Sequence, residues 1–397
     1  MRLRFLLGCV LVVALGCEKK TPPAEAVKPV AAAQAPVAAA APTGADDTIV
    51  IGEVGSLTGS EAAFGISTRN GIEMAIDEAN AAGGVKGKKL KVIVYDDQSK
   101  PEEAASATAR LIGQDKVQLI LGEVASSNSL AMAPKAQEAK VPMISPSSTN
   151  PKVTEVGDFI FRVCFIDPFQ GYVMAKYARE ELKFSKVAIL TDKKSAYSEG
   201  LTDVFQRKFA EMGGRIVGVE AYSKGDTDFR AQLTNIKKLK AEGLYVPGYY
   251  QDVAIIAEQA KELGLKVTMM GGDGWDSAKL FELGGSAVDG SFVSNHYSSD
   301  DPSPRVQEFI KKYTERYKGT PDSLAALGYD SAMVAIEAMK RAPDSSGQSL
   351  RDEIAKTKDF PGVAGTITLD DKRNPVKPAV VLKVEGGKFK YVATVAP

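Results

Sequence analysis

Histidine occurs once in the 397-residue chain, at His296, so no histidine cluster can hold a metal ion, and any imidazole-based triad would have to use that ring. GxxxxGK(S/T), GxSxG, HExxH and CxxC motifs are also missing, and with them the usual signatures of nucleotide hydrolysis, ester hydrolysis, zinc proteolysis and thiol redox chemistry. Neither an enzyme nor a cofactor is expected. Net charge is lacking too: 50 Lys and Arg balance 50 Asp and Glu, so no overall field favours nucleic acid or an acidic polymer. Cysteine is confined to Cys9, Cys17 and Cys164. If the first two leave or are modified with an export signal, Cys164 alone forms no intramolecular disulfide and no zinc cluster.

What is present begins with that signal. Arg2 and Arg4 precede an apolar run from Phe5 to Leu15, which is too short to span a bilayer as a helix of about 20 residues. Val13-Ala14-Leu15-Gly16-Cys17 resembles a lipobox, which would make Cys17 the acylated first residue of a lipoprotein; the alternative is an ordinary secretory signal that contains a cysteine. Residues 1–17 are therefore expected to be the signal and lipobox. Residues 18–47 are rich in Ala, Pro, Lys and Glu and have no aromatic residue, so they are expected to form a disordered tether reaching on the order of 30 Å.

From Thr48 the chain alternates buried-strand and helix patterns. Thr48 to Val54 is β-branched and apolar; Ile72, Ala75, Ile76 and Ala79 keep helical spacing, and Gly83-Gly84 ends that helix. Strands follow at Leu90 to Val94, Val117 to Leu121 and Val141 to Ile144, with helices from Pro101 and over Asn128 to Ala139. The alternation restarts near Asp167, with strands at Lys186, Arg215, Leu244 and Val267 and another Gly-Gly stop at Gly213-Gly214. Such repetition predicts an α/β fold of two Rossmann-like lobes with parallel-type sheets, joined by a three-segment hinge, with a cleft at the strand carboxyl ends. The C-terminal part reads as the helices Pro304 to Tyr317 and Pro321 to Arg341 and three short strands, Val363 to Leu369, Lys377 to Val384 and Phe389 to Ala393, completing both lobes. Residues 48–166 with 297–374 are expected to make lobe 1, and 167–296 with 375–397 lobe 2.

The strand ends carry short polar groups. Ser126-Ser127-Asn128 and Ser147-Ser148-Thr149 both precede helical patterns; they are either a site where hydroxyls and helix N-termini receive a carboxylate, or plain N-caps. Gly271-Gly272-Asp273-Gly274-Trp275 offers an acid to a ligand ammonium, or is a Gly-Asp turn. Phe64, Tyr197, Tyr249, Tyr250 and Trp275 fall at apparent loop positions where aromatic walls would enclose an apolar group, although packing suits Tyr250 better. His296 follows a strand and is expected to be solvent-facing or structural.

Tyr95 to Asp97, the VPMISPSSTNP stretch at Val141 to Pro151, Phe161-Arg162 before Asp167, Ala196 to Gly200 and Gly225 to Phe229 resemble the branched-chain amino-acid (leucine/isoleucine/valine) binding proteins. That resemblance runs from about Thr48 to the C-terminus. It implies a type I periplasmic binding protein that closes over an amino acid, delivers it to an ABC permease and needs no partner subunit of its own kind. By the same resemblance Ser126, Ser147 and Thr149 hold the ligand α-carboxylate, Asp273 receives the α-ammonium, and Phe64, Tyr197 and Tyr249 line the cleft. Ser99 and Ala125 stand where some relatives have a disulfide, and Phe64 lacks the hydroxyl of the tyrosine often found there. Alternatives are an amino-acid or amide sensor coupled to a regulator, and an exported hydrolase, for which the sequence shows no nucleophile and base.

Overall fold

The computed structural model describes residues 48–397; the export signal, Cys17 and the tether expected over residues 1–47 lie outside the described residues. The chain opens with β1 (Thr48–Gly55), α1 (Ala62–Ala81), β2 (Lys89–Asp96), α2 (Pro101–Gly113), β3 (Leu119–Leu121), α3 (Ser126–Ala139), β4 (Met143–Ser145), a short α4 (Lys152–Glu155) and β5 (Ile160–Arg162). These strands form a parallel sheet in the order β2-β1-β3-β4-β5. Local chemistry sets the helix ends. Pro101 occupies the first turn of α2 with Glu102 and Glu103 beside it, where a missing N–H and negative charge both suit the helix dipole. Beyond α1, Gly83 and Gly84 turn the chain with φ of 103° and 79°.

The second layer comprises α5 (Asp167–Lys176), β6 (Lys186–Asp192), α6 (Ala196–Glu211), β7 (Arg215–Tyr222), α7 (Arg230–Leu239), β8 (Gly243–Tyr245), α8 (Tyr250–Glu262), β9 (Thr268–Gly271), α9 (Ala278–Gly284) and β10 (Phe292–Asn295). The chain then returns to the first sheet through α10 (Pro304–Tyr317), α11 (Ser323–Arg341), α12 (Gly347–Ala355) and the hairpin β11 (Phe360–Gly362) and β12 (Gly365–Ile367). It ends in the second sheet with β13 (Ala379–Val384) and β14 (Phe389–Val395). That sheet runs β14-β13-β10-β9-β8-β6-β7, parallel except for the last two strands in sequence, which add antiparallel at one edge.

Apolar residues cover both faces of each sheet. Ile51, Leu119 and Ile144 pack with Ile72, Phe309, Ala335 and Ile354 from α1 and α10–α12, while Val54, Ile120 and Met143 meet Leu111 and Met132 from α2 and α3. In the second sheet Leu190, Leu244 and Val293 meet Leu233, Val253 and Ile256, and Val187, Ile189 and Met270 meet Leu201 and Phe205. Each sheet with helices on both faces is the α/β arrangement of two Rossmann-like lobes that the alternating pattern predicts. Three expectations need correction. The third strand starts at Leu119, because Val117 N–H is taken by Leu111 carbonyl oxygen at the end of α2. The single strand expected over Val363 to Leu369 is half of a hairpin, turned where Gly365 adopts φ 99° and where Asp330 accepts the N–H groups of Val363 and Ala364. Phe64, Tyr197 and Tyr250 lie on α1, α6 and α8, not in loops. Among the described residues no helix is long and apolar enough to cross a membrane.

Candidate functional site

The carboxyl ends of both sheets meet at a narrow cleft. Five of the seven sequence candidates line it: Phe64, Ser147, Tyr197, Tyr249 and Asp273. Val124, Gly274 and Leu324 complete the walls. Ser126 and Thr149 are buried beside this group without lining the cavity, and Ser126 Oγ accepts the N–H of Asn150 at 3.3 Å. The capping alternative does not describe Ser126, because Ala125 is the cap of α3 and Ser126 is its first residue. Ser147 Oγ is buried with no hydrogen-bond partner in the protein, an arrangement that costs free energy unless a polar group meets it; the Thr149 hydroxyl lies beside the buried Asp167 carboxyl.

The loop carrying them is held from behind. Ser148 Oγ lies 2.7 Å from Ser129 Oγ and donates toward the carbonyl oxygens of Glu123 and Val124 at 3.0 and 2.9 Å. The Arg162 guanidinium, fully buried at the end of β5, donates to the carbonyl oxygens of Ser148 and of Asn150, the latter at 2.8 Å. Sequence reading gave Arg162 no such role. A charged residue closing an apolar strand is the only hint of it.

On the opposite wall Asp273 is 6% exposed. Its Oδ1 accepts the Tyr197 hydroxyl at 2.8 Å and its Oδ2 lies 3.0 Å from His296 Nε2. The Gly274 N–H donates in turn to Tyr197 Oη at 3.1 Å, and Gln170 Oε1 accepts the Asp273 N–H at 3.0 Å. The expectation of a solvent-facing His296 fails: the ring is buried and stacks on Phe165 with centroids 3.6 Å apart, which leaves its structural alternative. Burial lowers the imidazole to about 4, more than the neighbouring carboxylate raises it. The ring is thus neutral near pH 7, and Nε2–H is assigned as donor to Asp273 from the hydrogen-bond pattern. Both of these partners of the Asp273 carboxyl group are uncharged.

The aromatic wall is built from three elements. Tyr249 stacks on Tyr197, centroids 5.1 Å apart, and meets the edge of Phe64 at 5.6 Å. Tyr250 packs against Phe64 at 4.9 Å and its oxygen accepts the Ala63 N–H at 3.3 Å, a structural contact outside the cavity lining. Trp275 is fully buried, donates to the Val246 carbonyl oxygen at 3.0 Å and lies across Gly271, where an added Cβ would sit 2.1 Å from the indole nitrogen. It belongs to the core, not to the cleft wall. Burial pushes the Cys164 thiol up to about 12, which leaves it unreactive. Among the described residues no group of three or more His, Cys, Asp or Glu side chains is placed to hold a metal ion.

Contacts between the layers close the cleft on either side of the cavity. Asn150 Nδ2 donates to the Ala196 carbonyl oxygen at 2.7 Å, and the Ala196 N–H donates to Ser127 Oγ at 3.1 Å. Asp276 Oδ2 accepts the Ser323 N–H at 2.8 Å. The enclosed space therefore offers hydroxyls on one side, a carboxylate on the other and apolar walls between them, a combination suited to a small zwitterion with an apolar side chain.

A family model described as periplasmic binding protein matches residues 48–388. A Leu/Ile/Val-binding protein homolog from Brucella abortus is 32% identical over 349 residues, covering 86% of this chain and 93% of that protein. The crystal structure of a leucine binding protein, LivK, from Thermotoga maritima superposes with a TM-score of 0.84 at 39% identity, covering 88% of this chain and 99% of that one. The branched-chain amino acid transporter substrate binding protein LivJ from Streptococcus pneumoniae, in complex with isoleucine, also gives 0.84, at 35% identity over 88% of this chain and 100% of that one.

Proposed function

From the premise that this chain belongs to the periplasmic binding proteins, in their branched-chain amino-acid group of type I fold, we propose that it captures a neutral L-amino acid of the branched-chain class and delivers it to an ABC permease. Members of this family bind solutes and are not enzymes. In this reading residues 48–166 with 297–374 act as the first lobe and 167–296 with 375–397 as the second, and Cys17 carries the lipid that ties the protein to an extracytoplasmic membrane face. The first lobe receives the α-carboxylate at Ser147, with Ser126 and Thr149 beside it. Closure then brings Asp273 to the ammonium and Tyr197, Tyr249, Phe64, Val124 and Leu324 around the side chain.

The observation that carries the reading is Asp273, a buried carboxylate lining the cavity across from the unpartnered Ser147 hydroxyl. A plain carboxylic acid would meet that negative charge unfavourably, whereas an amino acid matches both ends. Hydrogen bonds to charged groups contribute about 1.5 to 3 kcal/mol each, so a few of them, after the costs of ordering and closure, reach the roughly −8 kcal/mol of micromolar binding. Titration calorimetry with L-leucine, L-isoleucine, L-valine and the amine-free acid 4-methylpentanoate is the test. Saturable binding of the amino acids, with the deaminated acid at least about tenfold weaker, supports the proposal. Tight binding of the acid, or no response to any amino acid by ligand-free protein, would overturn it.

A further inference from the structure

The loop between β7 and α7 makes a second kind of contact across the cleft. It is fixed to its own lobe: the Lys224 N–H donates to Asp192 Oδ1 at 3.1 Å, and the Ser223 N–H to Asp226 Oδ2 at 2.9 Å. From there the Lys224 side chain crosses to the first layer, placing Nζ 2.5 Å from Glu61 Oε1 and 2.8 Å from the Ser99 carbonyl oxygen. Glu61 caps the start of α1, one turn before Phe64 in the cavity wall. The two partners differ in exposure, 32% for the Lys224 side chain and 2% for that of Glu61.

An exposed ion pair of this kind would contribute little, but Glu61 is not exposed. Around it stand the carboxyl groups of Asp97 and Glu123 from the first lobe and of Asp192 and Asp252 from the second, with the phenols of Tyr249 and Tyr250. Burial pushes the Glu61 carboxyl up and Lys224 pulls it back. A carboxylate moved from water into that surrounding needs either a cation or a proton. Parting of the lobes would return both Lys224 and Glu61 to water.

We infer that Lys224 is a positioning residue for closure: it neutralises Glu61 as the lobes meet and so sets how long the amino acid is held, without touching it. The inference rests on the capture reading given above. Without the amine, closure has to deliver a proton to Glu61, so holding of the ligand becomes strongly pH-dependent.

The experiment measures L-leucine affinity, release rate and proton uptake near pH 6 and near pH 8 in the native protein, Lys224→Met, Lys224→Arg and the double variant Glu61→Gln/Lys224→Met. Lys224→Met is expected to release ligand at least about tenfold faster near pH 8, with a smaller change near pH 6 and more protons taken up per ligand bound. The arginine variant should recover most of the loss, and the double variant should be nearly indifferent to pH. Unchanged release in Lys224→Met at both pH values, or an equal loss at both that the double variant does not relieve, would overturn the latch. If the native protein binds isoleucine or valine but not leucine, that amino acid replaces leucine in the measurement; if it binds none of the three, the capture reading fails by itself. The latch is then read from small-angle scattering of the ligand-free proteins, where Lys224→Met should be more expanded than native near pH 8 and alike near pH 6; identical profiles at both would overturn it.

Discussion

Asp273 presents its carboxylate to the cavity through two donors that bring no charge, the Tyr197 hydroxyl and the neutral His296 ring. If the site captures an amino acid as proposed, replacing Asp273 by alanine would leave the ligand's ammonium buried and unpaired. Asp273→Ala is therefore expected to weaken amino-acid binding by about 2 to 5 kcal/mol, and calorimetry showing native affinity would exclude Asp273 from the site. His296 makes a separate prediction. Its ring, held down to about 4 by burial, acquires a proton only as pH falls toward that value, and the imidazolium then competes with the ligand ammonium for the same carboxylate. Affinity should fall below about pH 5 in the native protein and fall less steeply in His296→Gln, whose amide can still donate to Asp273 but cannot become charged. Parallel pH profiles would show that the imidazole does not titrate against Asp273. Of this pair, Asp273 could be read from the sequence because glycines surround an acid after an apolar strand. His296 could not, since the residue alone does not show that its ring turns inward across 23 positions to meet that acid.

At the scale of elements, α1 and α11 cross where each has a glycine. A Cβ at Gly71 would sit 2.0 Å from the Ala325 carbonyl oxygen, and one at Gly328 would sit 2.3 Å from the Thr68 carbonyl oxygen. Backbone cannot yield as a flexible side chain does, so Gly71→Ala should force the helices apart and destabilise the fold by about 1 to 3 kcal/mol. The same change should loosen ligand binding, because α1 carries Phe64 and the start of α11 carries Leu324, both in the cavity wall. A denaturant titration that finds Gly71→Ala as stable as native would contradict this packing. The helices themselves were legible, since Ile72, Ala75 and Ile76 repeat at helical spacing and glycine pairs end α1 and α6. β5 and α12 were not: three residues are too few to show a period, and α12 places only Leu350 and Ile354 in the core. Val124 and Leu324 were missed for another reason. An aliphatic residue facing a cavity looks the same in sequence as one facing the core.

Several acidic side chains are buried around the strand ends of the described residues, and burial pushes their carboxyl groups up. Ser56 Oγ lies 2.8 Å from Asp97 Oδ1 and 2.9 Å from Glu123 Oε1. One hydroxyl hydrogen serves only one of these oxygens; desolvation, with the Asp97 and Glu61 carboxyls nearby, holds Glu123 well above its usual range, while its two oxygens accept the N–H groups of Ser56 and Ala125. Elsewhere burial pushes Glu53 up to about 8 and Asp167, Asp252 and Asp322 up to about 7. In the unfolded chain these groups ionise near 4. The folded state therefore binds more protons between those limits, and the stability they confer is present at low pH and lost as pH rises through 7 to 8. Groups whose values are lowered work the other way, but outside that window: carboxyls such as Asp344 and Glu385, held down to about 2, do so only in acid. His296, held down to about 4, binds fewer protons than in the unfolded chain only below its ordinary value of 6.5, and Lys377, held down to about 8 by burial, does so only above about 8. Between about pH 6.5 and 8 the carboxyl groups decide the sign, so calorimetric unfolding should occur at a lower temperature at pH 8 than at pH 6.5. Glu53→Gln keeps the shape of the side chain and removes the group with the highest of the four values, so the difference between the two pH values should shrink in that variant. A midpoint that rises from pH 6.5 to 8, or a Glu53→Gln profile parallel to native, would mean that these carboxyl groups stay ionised in the folded protein and that their burial is balanced by something other than protons.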